Sequence, residues 1–278
     1  MNKEINKMIK QTDYSVFLEI QMLPLKEKKA VSTLYAFCQH LSDMLQSNTP
    51  LSRKEELIKL WYQEIDNIYQ KKTPASNIGR DIYKNCMRFQ VPKEDLLAVL
   101  EGVEREMKKP LCVPSMKDFE SYCFGMVGAP SKVMLRILGC KDEKLMKALS
   151  YSLGKAIQIT NILKNVRDDA IKNKLYIPSV FLKKAGIKSK NPQAVITNRN
   201  LILARKELAE VAKEDYKTAF ELMSKLDKKT ERNIKGFVYI YKKYFDMMNA
   251  RGWEVISPKP KLNLLSKMFL IMKAYSGK

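Results

Sequence analysis

Residues 154–178 of this chain read GKAIQITNILKNVRDDAIKNKLYIP. The stretch predicts one helix that ends in a basic turn, with a short exit at Tyr176-Ile177-Pro178. Gln158, Asn161, Asn165, Asp168 and Asp169 fall along one polar stripe at about 100° per residue. Ile157, Ile162, Leu163 and Val166 lie largely off that stripe and can bury. Burying amides and carboxylates between apolar flanks is costly unless the stripe meets a metal, water or a cationic ligand. The alternative is a solvated helix face, and the amides of Gln158 and Asn161 beside apolar neighbours weigh against it.

Length and composition bound the rest. The chain has 278 residues, 45% of them hydrophobic, enough for one large core. Helical periods without alternating strand patterns predict an all-α class, read as a single domain over residues 1–278. The formal net charge of +21 calls for anionic partners: a diphosphate, an anionic membrane face or nucleic acid. Lys dominates over Arg and no base-reading motif is present, so nucleic acid is not expected. Five cysteines (Cys38, Cys86, Cys112, Cys123, Cys140) form no C-x-x-C pair, and His40 stands alone, so no zinc site is expected. Unpaired cysteines fit a reducing, cytoplasmic setting. The charged start MNKEINKMIKQTDYS has no apolar core of a signal peptide. No run approaches the ~18 apolar residues that span a bilayer.

Helical patterns follow one another along the chain. Val16, Phe17, Ile20 and Leu23 form one apolar face, ended by Pro24. Residues 26–47 give a long helix with Val31, Leu34, Tyr35, Cys38, Leu41 and Leu45 inward. The next has Leu57, Leu60, Trp61, Ile65 and Ile68 on one face, with Thr49 or Ser52 as its cap. Residues 78–109 give two helices, the second opened by Pro92. Ser115 and Asp118 predict a capping box, and Gly125, Gly128, Ala129 and Pro130 a kink. Residues 188–199 read as a polar loop, and residues 200–228 and 229–250 as helices. The tail, residues 260–278, interleaves Lys261, Lys267 and Lys273 with Leu262, Leu264, Leu265, Met268, Phe269, Leu270 and Met272. Such a basic amphipathic tail lies on an anionic bilayer or covers the core.

The run Gln158-Ile-Thr-Asn161-Ile-Leu-Lys-Asn165-Val-Arg-Asp168-Asp169, its basic turn and Tyr176-Ile-Pro178 resemble the second aspartate-rich motif of the squalene/phytoene synthase family. Leu34-Tyr35-Ala36-Phe37-Cys38 resembles the opening of that family's first motif. There its Arg falls on Gln39 and its acids on Ser42, Asp43 and Gln46. Tyr122-Cys123 through Gly128, Glu101-Gly102 through Glu106, Ser15 in its helix and Ala250-Arg251-Gly252-Trp253 match further family patterns in order. The resemblance runs from Ser15 to about Lys273. It is closest to the bacterial members that join two farnesyl diphosphates into presqualene diphosphate.

That resemblance implies an all-α, isoprenoid-synthase-type helical bundle around a central apolar cavity, between helices over residues 29–46 and 154–169. It implies Mg²⁺ held by Asp43, Asp168 and Asp169, with Asn165 and Gln46 as weaker oxygen donors. Tyr122 is implied beside the reacting carbocation, with Asp43 and Asp169 as catalytic acids of the metal site. Ser15, Tyr35, Gln158 and Asn161 are implied in the substrate pocket, and Lys164, Lys174 and Tyr176 near diphosphate. On the residues alone, Tyr122 also reads as core, and Glu101 and Glu104 as solvated charge or cavity lining. Of the family's acids in the two motifs, Asp43, Asp168 and Asp169 remain, while Asp13 beside Ser15 would repel a diphosphate. Two expectations follow. One is a prenyltransferase working with a reduced metal set, peripheral on the inner membrane face. The other is a pseudoenzyme that serves as a binding or respiratory-complex assembly protein with a protein partner.

Overall fold

The computed structural model describes residues 5, 7–9 and 14–276, the side chains of Tyr14 and Ser15 excepted. Asp13 and the Ser15 side chain, with the substrate-pocket role expected of Ser15, therefore lie outside the described residues. Helices account for the fold, and among the described residues no named strand forms. One hydrophobic cluster runs from Ile9 to Trp253. None of the described helices is long and apolar enough to cross a membrane.

Helix α1 (Tyr14–Met22) buries Val16 and Ile20, and Pro24 opens α2 (Leu25–Gln46). Glu19 of α1 is fully buried, and neither of its carboxyl oxygens has a hydrogen-bond partner. Burial pushes its pKa up to about 8. Pro50, not Thr49 or Ser52, occupies the N-cap of α3 (Leu51–Tyr69), because Thr49 takes a bond from the Ser47 hydroxyl instead. Leu60 is 54% exposed, a correction to the expected face. The buried residues Ile58, Trp61, Ile65 and Ile68 keep three-four-three spacing, and Leu60 does not share it.

Residues 77–89 are not the single helix expected. They form α4 (Asn77–Asp81), a π turn (Ile82–Cys86) and a 3-10 turn (Met87–Phe89), ended by Gln90 at φ +52°. Glu64 of α3 fixes the start, accepting from the Ala75 and Ser76 amides at 3.0 and 2.7 Å. Pro92 then opens α5 (Lys93–Lys108).

The expected kink is a π turn. Helix α6 (Met116–Cys123) starts at Ser115, whose hydroxyl accepts from the Asp118 amide at 3.2 Å. It runs through the π turn Phe124–Gly128 into α7 (Ala129–Leu138). Backbones cross here on both sides. A Cβ on Gly102 of α5 would lie 2.5 Å from Gly125 Cα, and one on Gly154 would lie 2.8 Å from Gly128 Cα. Only glycine permits such approach.

Helix α8 (Glu143–Ile171) begins well upstream of Gly154, capped by Asp142, and buries Ile157, Ile162, Leu163 and Val166. It ends in a Schellman motif. Asn173 adopts φ +57°, its amide donates to the Ala170 carbonyl at 2.9 Å, and the Lys174 amide donates to Asp169 at 2.8 Å. Helix α9 (Ser179–Lys184) follows. The expected polar loop holds a further short helix, α10 (Pro192–Ile196). The Asn191 side chain accepts from the Ala194 amide, Pro192 fits the first turn, and Val195 is buried. Helices α11 (Leu201–Met223) and α12 (Lys228–Arg251) pack on α8, and α13 (Leu264–Ser276) packs on α12 and α1.

Candidate active site

The end of α8 decides where the site's aromatics go. After the Schellman turn the chain runs back along residues 112–114. The Val113 amide donates to the Leu175 carbonyl at 2.7 Å, and the Ser179 amide donates to Pro114 at 2.9 Å. Cys112 and Leu175 form an isolated parallel bridge. So held, Tyr176 stacks on Tyr122 of α6, with centroids 4.9 Å apart and rings inclined by 12°. Gln158 of α8 donates to the Tyr122 hydroxyl at 3.0 Å. Both phenols are buried, and that burial drives their pKa above the usual tyrosine range. Burial thus favours the neutral phenol in both.

Behind the pair stands Glu106 of α5, 2% exposed. It accepts from the Tyr176 hydroxyl at 3.1 Å and from the Leu111 amide at 3.2 Å, and its carboxylate lies 3.8 Å from Lys174 Nζ. Desolvation raises its pKa against the pull of these donors. Tyr122, Gln158, Lys174 and Tyr176 are thus brought together, and Glu106 joins them.

The acids of the two motifs are held differently. Asp43 is exposed and accepts from Gln39 Nε2 at 2.7 Å, while Gln46 donates to Ser42 at 2.9 Å. Asp168 is exposed and pairs with Lys259, whose hydrogen bond holds its carboxyl below the ordinary value. Asp169 is half-buried. Burial lifts its pKa to about 6 although Lys174, Lys259 and Lys172 pull the other way. Among the described residues no three acids, cysteines or histidines are gathered in metal-holding geometry. Asn161 and Asn165 are half-buried on α8, and Tyr35 is half-buried on α2 against the core. Lys164 sits with its ammonium 4.5 Å from the centre of the Tyr244 ring.

Three residues of this region take no role from the motifs. Glu106 closes the Glu101-Gly102 pattern, but a cavity-lining role is expected of its neighbours Glu101 and Glu104. Yet Glu101 is exposed, and Glu104 is spent on Tyr62 at 2.6 Å and on Lys108. Arg205 of α11 is fully buried and donates to the carbonyls of Leu163 at 3.2 Å, Val255 at 3.3 Å and Trp253. It ties the Ala250-Arg251-Gly252-Trp253 segment to α8. The signal for both is a charge on an apolar stripe: Glu106 follows Val99 and Val103, and Arg205 lies between Leu201 and Leu208. Lys259 gives no such signal, because its partner is set by the path of the chain after α12.

A family model for squalene/phytoene synthase matches residues 9–266. The chain belongs to the squalene/phytoene synthase family. Among relatives, the presqualene diphosphate synthase of Sinorhizobium fredii is 28% identical, covering 93% of this chain and 92% of the relative. That of Zymomonas mobilis is 25% identical over 93% of this chain and 88% of its own. The 15-cis-phytoene synthase of Pantoea ananas is 21% identical over 90% and 82%. A solved dehydrosqualene synthase in complex with ligand superposes with a TM-score of 0.84 at 19% identity, covering 99% of this chain and 95% of that one. The squalene/phytoene synthase fold, an all-α isoprenoid-synthase bundle, is therefore the fold of this chain. The aromatic pair and the polar stripe of α8 sit on that scaffold.

Proposed function

We propose that this squalene/phytoene synthase family member condenses two prenyl diphosphates of the farnesyl class head to head. The observation that carries the proposal is the Tyr122–Tyr176 stack, held by Gln158 and Glu106 in a desolvated setting. Loss of diphosphate from an allylic substrate leaves a carbocation. Neutral aromatic faces stabilise such a cation without capturing it, whereas a phenolate would attack it. The raised phenol pKa values keep both rings in the neutral form. A dry surround protects the cation from water until the second alkene attacks. Lys174, half-buried beside Glu106, offers a positive charge to the departing diphosphate, and Gln158 with Asn161 lines the chain's approach.

Mg²⁺ is the expected cofactor, and when bound it supplies charge compensation for diphosphate departure. Asp169 and Asn165 stand one turn apart on α8, and desolvation of the half-buried Asp169 carboxyl outweighs the lysines near it. Hard oxygen donors of this kind fit one divalent cation. Asp168 joins them if Lys259 releases it. Asp43 and Gln46 supply oxygens from α2. The donor set fits one ion better than a carboxylate-rich cluster. The reading takes residues 1–278 as one catalytic domain, cytoplasmic and peripheral on the inner membrane face, with no nucleic-acid partner.

A second reading, a pseudoenzyme with a binding or assembly role, draws on the engagement of Asp43 by Gln39 and of Asp168 by Lys259. One experiment separates the two. Purified protein is incubated with radiolabelled farnesyl diphosphate, Mg²⁺ and detergent, and the extracted products are resolved. A C30 product that disappears in Asp169→Ala is expected. No product from folded protein, with longer prenyl diphosphates also offered, would overturn the condensation.

A further inference from the structure

Helix α13 is apolar on the side it turns away from the protein. Its inner face is anchored: Ile271 and Ala274 are buried, and the Tyr275 hydroxyl lies 3.4 Å from Asn233 Oδ1 of α12. The Arg232 guanidinium covers the Tyr275 ring at 5.2 Å. The outer face carries Leu264, Leu265, Met268, Phe269 and Met272. Leu265 is 75%, Phe269 66% and Met272 63% exposed. At about 100° per residue these five fill one continuous arc, with Leu265 and Met272 near its centre. A solvent-facing helix side is normally polar, so this one lacks a partner that water does not replace.

Charge says what that partner is. A groove of 750 Å³ runs beside α13, lined by Phe220, Tyr239, Leu265, Phe269 and Leu270 with Lys242, Lys243 and Lys273. Asp246, its one acidic lining residue, is bound to Lys242 at 2.5 Å. Lys243 and Lys273, with Lys261 just before the helix, are exposed and carry no ion pair among the described residues. A protein surface complementary to this rim would need acids facing each lysine around an apolar centre. An anionic bilayer offers both features everywhere, and an apolar face rimmed by lysines is how interfacial helices sit in one.

We propose that α13 docks on an anionic lipid bilayer. Leu264, Leu265, Met268, Phe269 and Met272 enter the headgroup–acyl boundary, and Lys243, Lys261 and Lys273 meet lipid phosphates. This rests on the peripheral-membrane part of the proposed function and adds the face that makes the contact and the lipid charge it requires. Catalysis does not depend on it.

The test is co-sedimentation with vesicles of phosphatidylcholine alone, or of equal parts phosphatidylcholine and phosphatidylglycerol. The full chain is used as parent, Leu265→Gln/Phe269→Gln and Lys243→Gln/Lys273→Gln. The parent is expected to bind the mixed vesicles and to lose binding as salt rises. Each double variant is expected to bind them on the order of tenfold more weakly, with unchanged circular dichroism and unchanged prenyl condensation in detergent. Equal binding of parent and variants would place the membrane contact on another face and overturn the assignment. Equal binding to both vesicle types would overturn the role of the lysines. A parent that binds neither vesicle would overturn the membrane contact itself. So would a dimer in solution abolished by Leu265→Gln/Phe269→Gln, which would make a second copy of the chain the cover for this face. The condensation assay in detergent stands apart from all of these outcomes.

Discussion

Tyr122 and Tyr176 reach each other from segments more than fifty residues apart in the chain, and their rings lie 4.9 Å apart and nearly parallel. Offset aromatic pairs contribute about 0.5–1.5 kcal/mol beyond the area they bury. A double-mutant cycle on Tyr122→Leu and Tyr176→Leu, followed by urea unfolding, is expected to give a coupling of about 1 kcal/mol. Either single variant is expected to lower condensation far more than it lowers stability. A coupling near zero would mean that the two rings are packed independently.

Glu106 holds the second ring of that pair. Glu106→Ala leaves the Tyr176 hydroxyl and the Leu111 amide without their acceptor, a loss of about 2 kcal/mol in urea unfolding. Glu106→Gln keeps an acceptor oxygen and is expected to recover most of that loss. Equal destabilisation by the two variants would put the role of Glu106 in its charge rather than in hydrogen bonding.

Glu19 makes stability depend on pH. The unfolded chain releases this proton near the ordinary carboxylate value of 4.5, and the folded chain releases it near 8. Between those values the folded state holds the extra proton, so stability falls as pH rises through that window and levels off above it. Glu19→Gln removes the dependence. At pH 9 the variant is expected to be more stable than the parent by on the order of 3 kcal/mol, and the melting temperatures should converge towards pH 5. A variant no more stable than the parent at pH 9 would count against a neutral buried carboxyl.

Restoring acids tests the metal placement. Ser42→Asp, Gln46→Asp and Asn165→Asp together add carboxylates on the faces that already carry Asp43 and Asp169. Calorimetric titration is expected to show Mg²⁺ binding at least about tenfold tighter than in the parent. No gain would mean that the two stripes do not share an ion.

The glycine crossings leave no room for a methyl group. Gly102→Ala places a Cβ against the Gly125 backbone, where no side chain can yield. Unfolding is expected to show a loss of about 2–3 kcal/mol, at the upper end for overpacked interiors. A neutral effect would show that α5 can slide along the π turn.

Much of this architecture was legible in the sequence because periodicity writes it directly. The buried faces of α1 and α8 were readable from apolar spacing, and Tyr122, Gln158 and Tyr176, singled out by the family resemblance, are residues that the fold brings together. What escaped depends on contacts between distant segments. Glu106 and Arg205 interrupt apolar stripes, a pattern that warns of a buried charge but does not name its partner. The π turn at Ile82 has no residue signature comparable to the glycines at 125 and 128. Lys259 meets Asp168 only because the chain after α12 folds back over α8. Asn191 and Pro192 start a short helix inside what reads as polar loop, since a cap and one buried Val195 are enough for a single turn.

The π turn between α6 and α7 has a consequence for how this chain tolerates changes in length. A π turn takes up one residue more than the α-helical path between the same two points. Removing one residue between Phe124 and Gly128 would let the segment close as continuous α-helix, with the loss absorbed locally and nothing unfolded. The residues on either side would keep their helical phase, because the turn already holds the surplus residue. Tyr122 would stay on the face that meets Gln158. In this chain, then, the turn is a reserve of one residue: a deletion there is absorbed, whereas the same deletion within the regular helix after Tyr122 would turn that side chain about 100° away from Gln158.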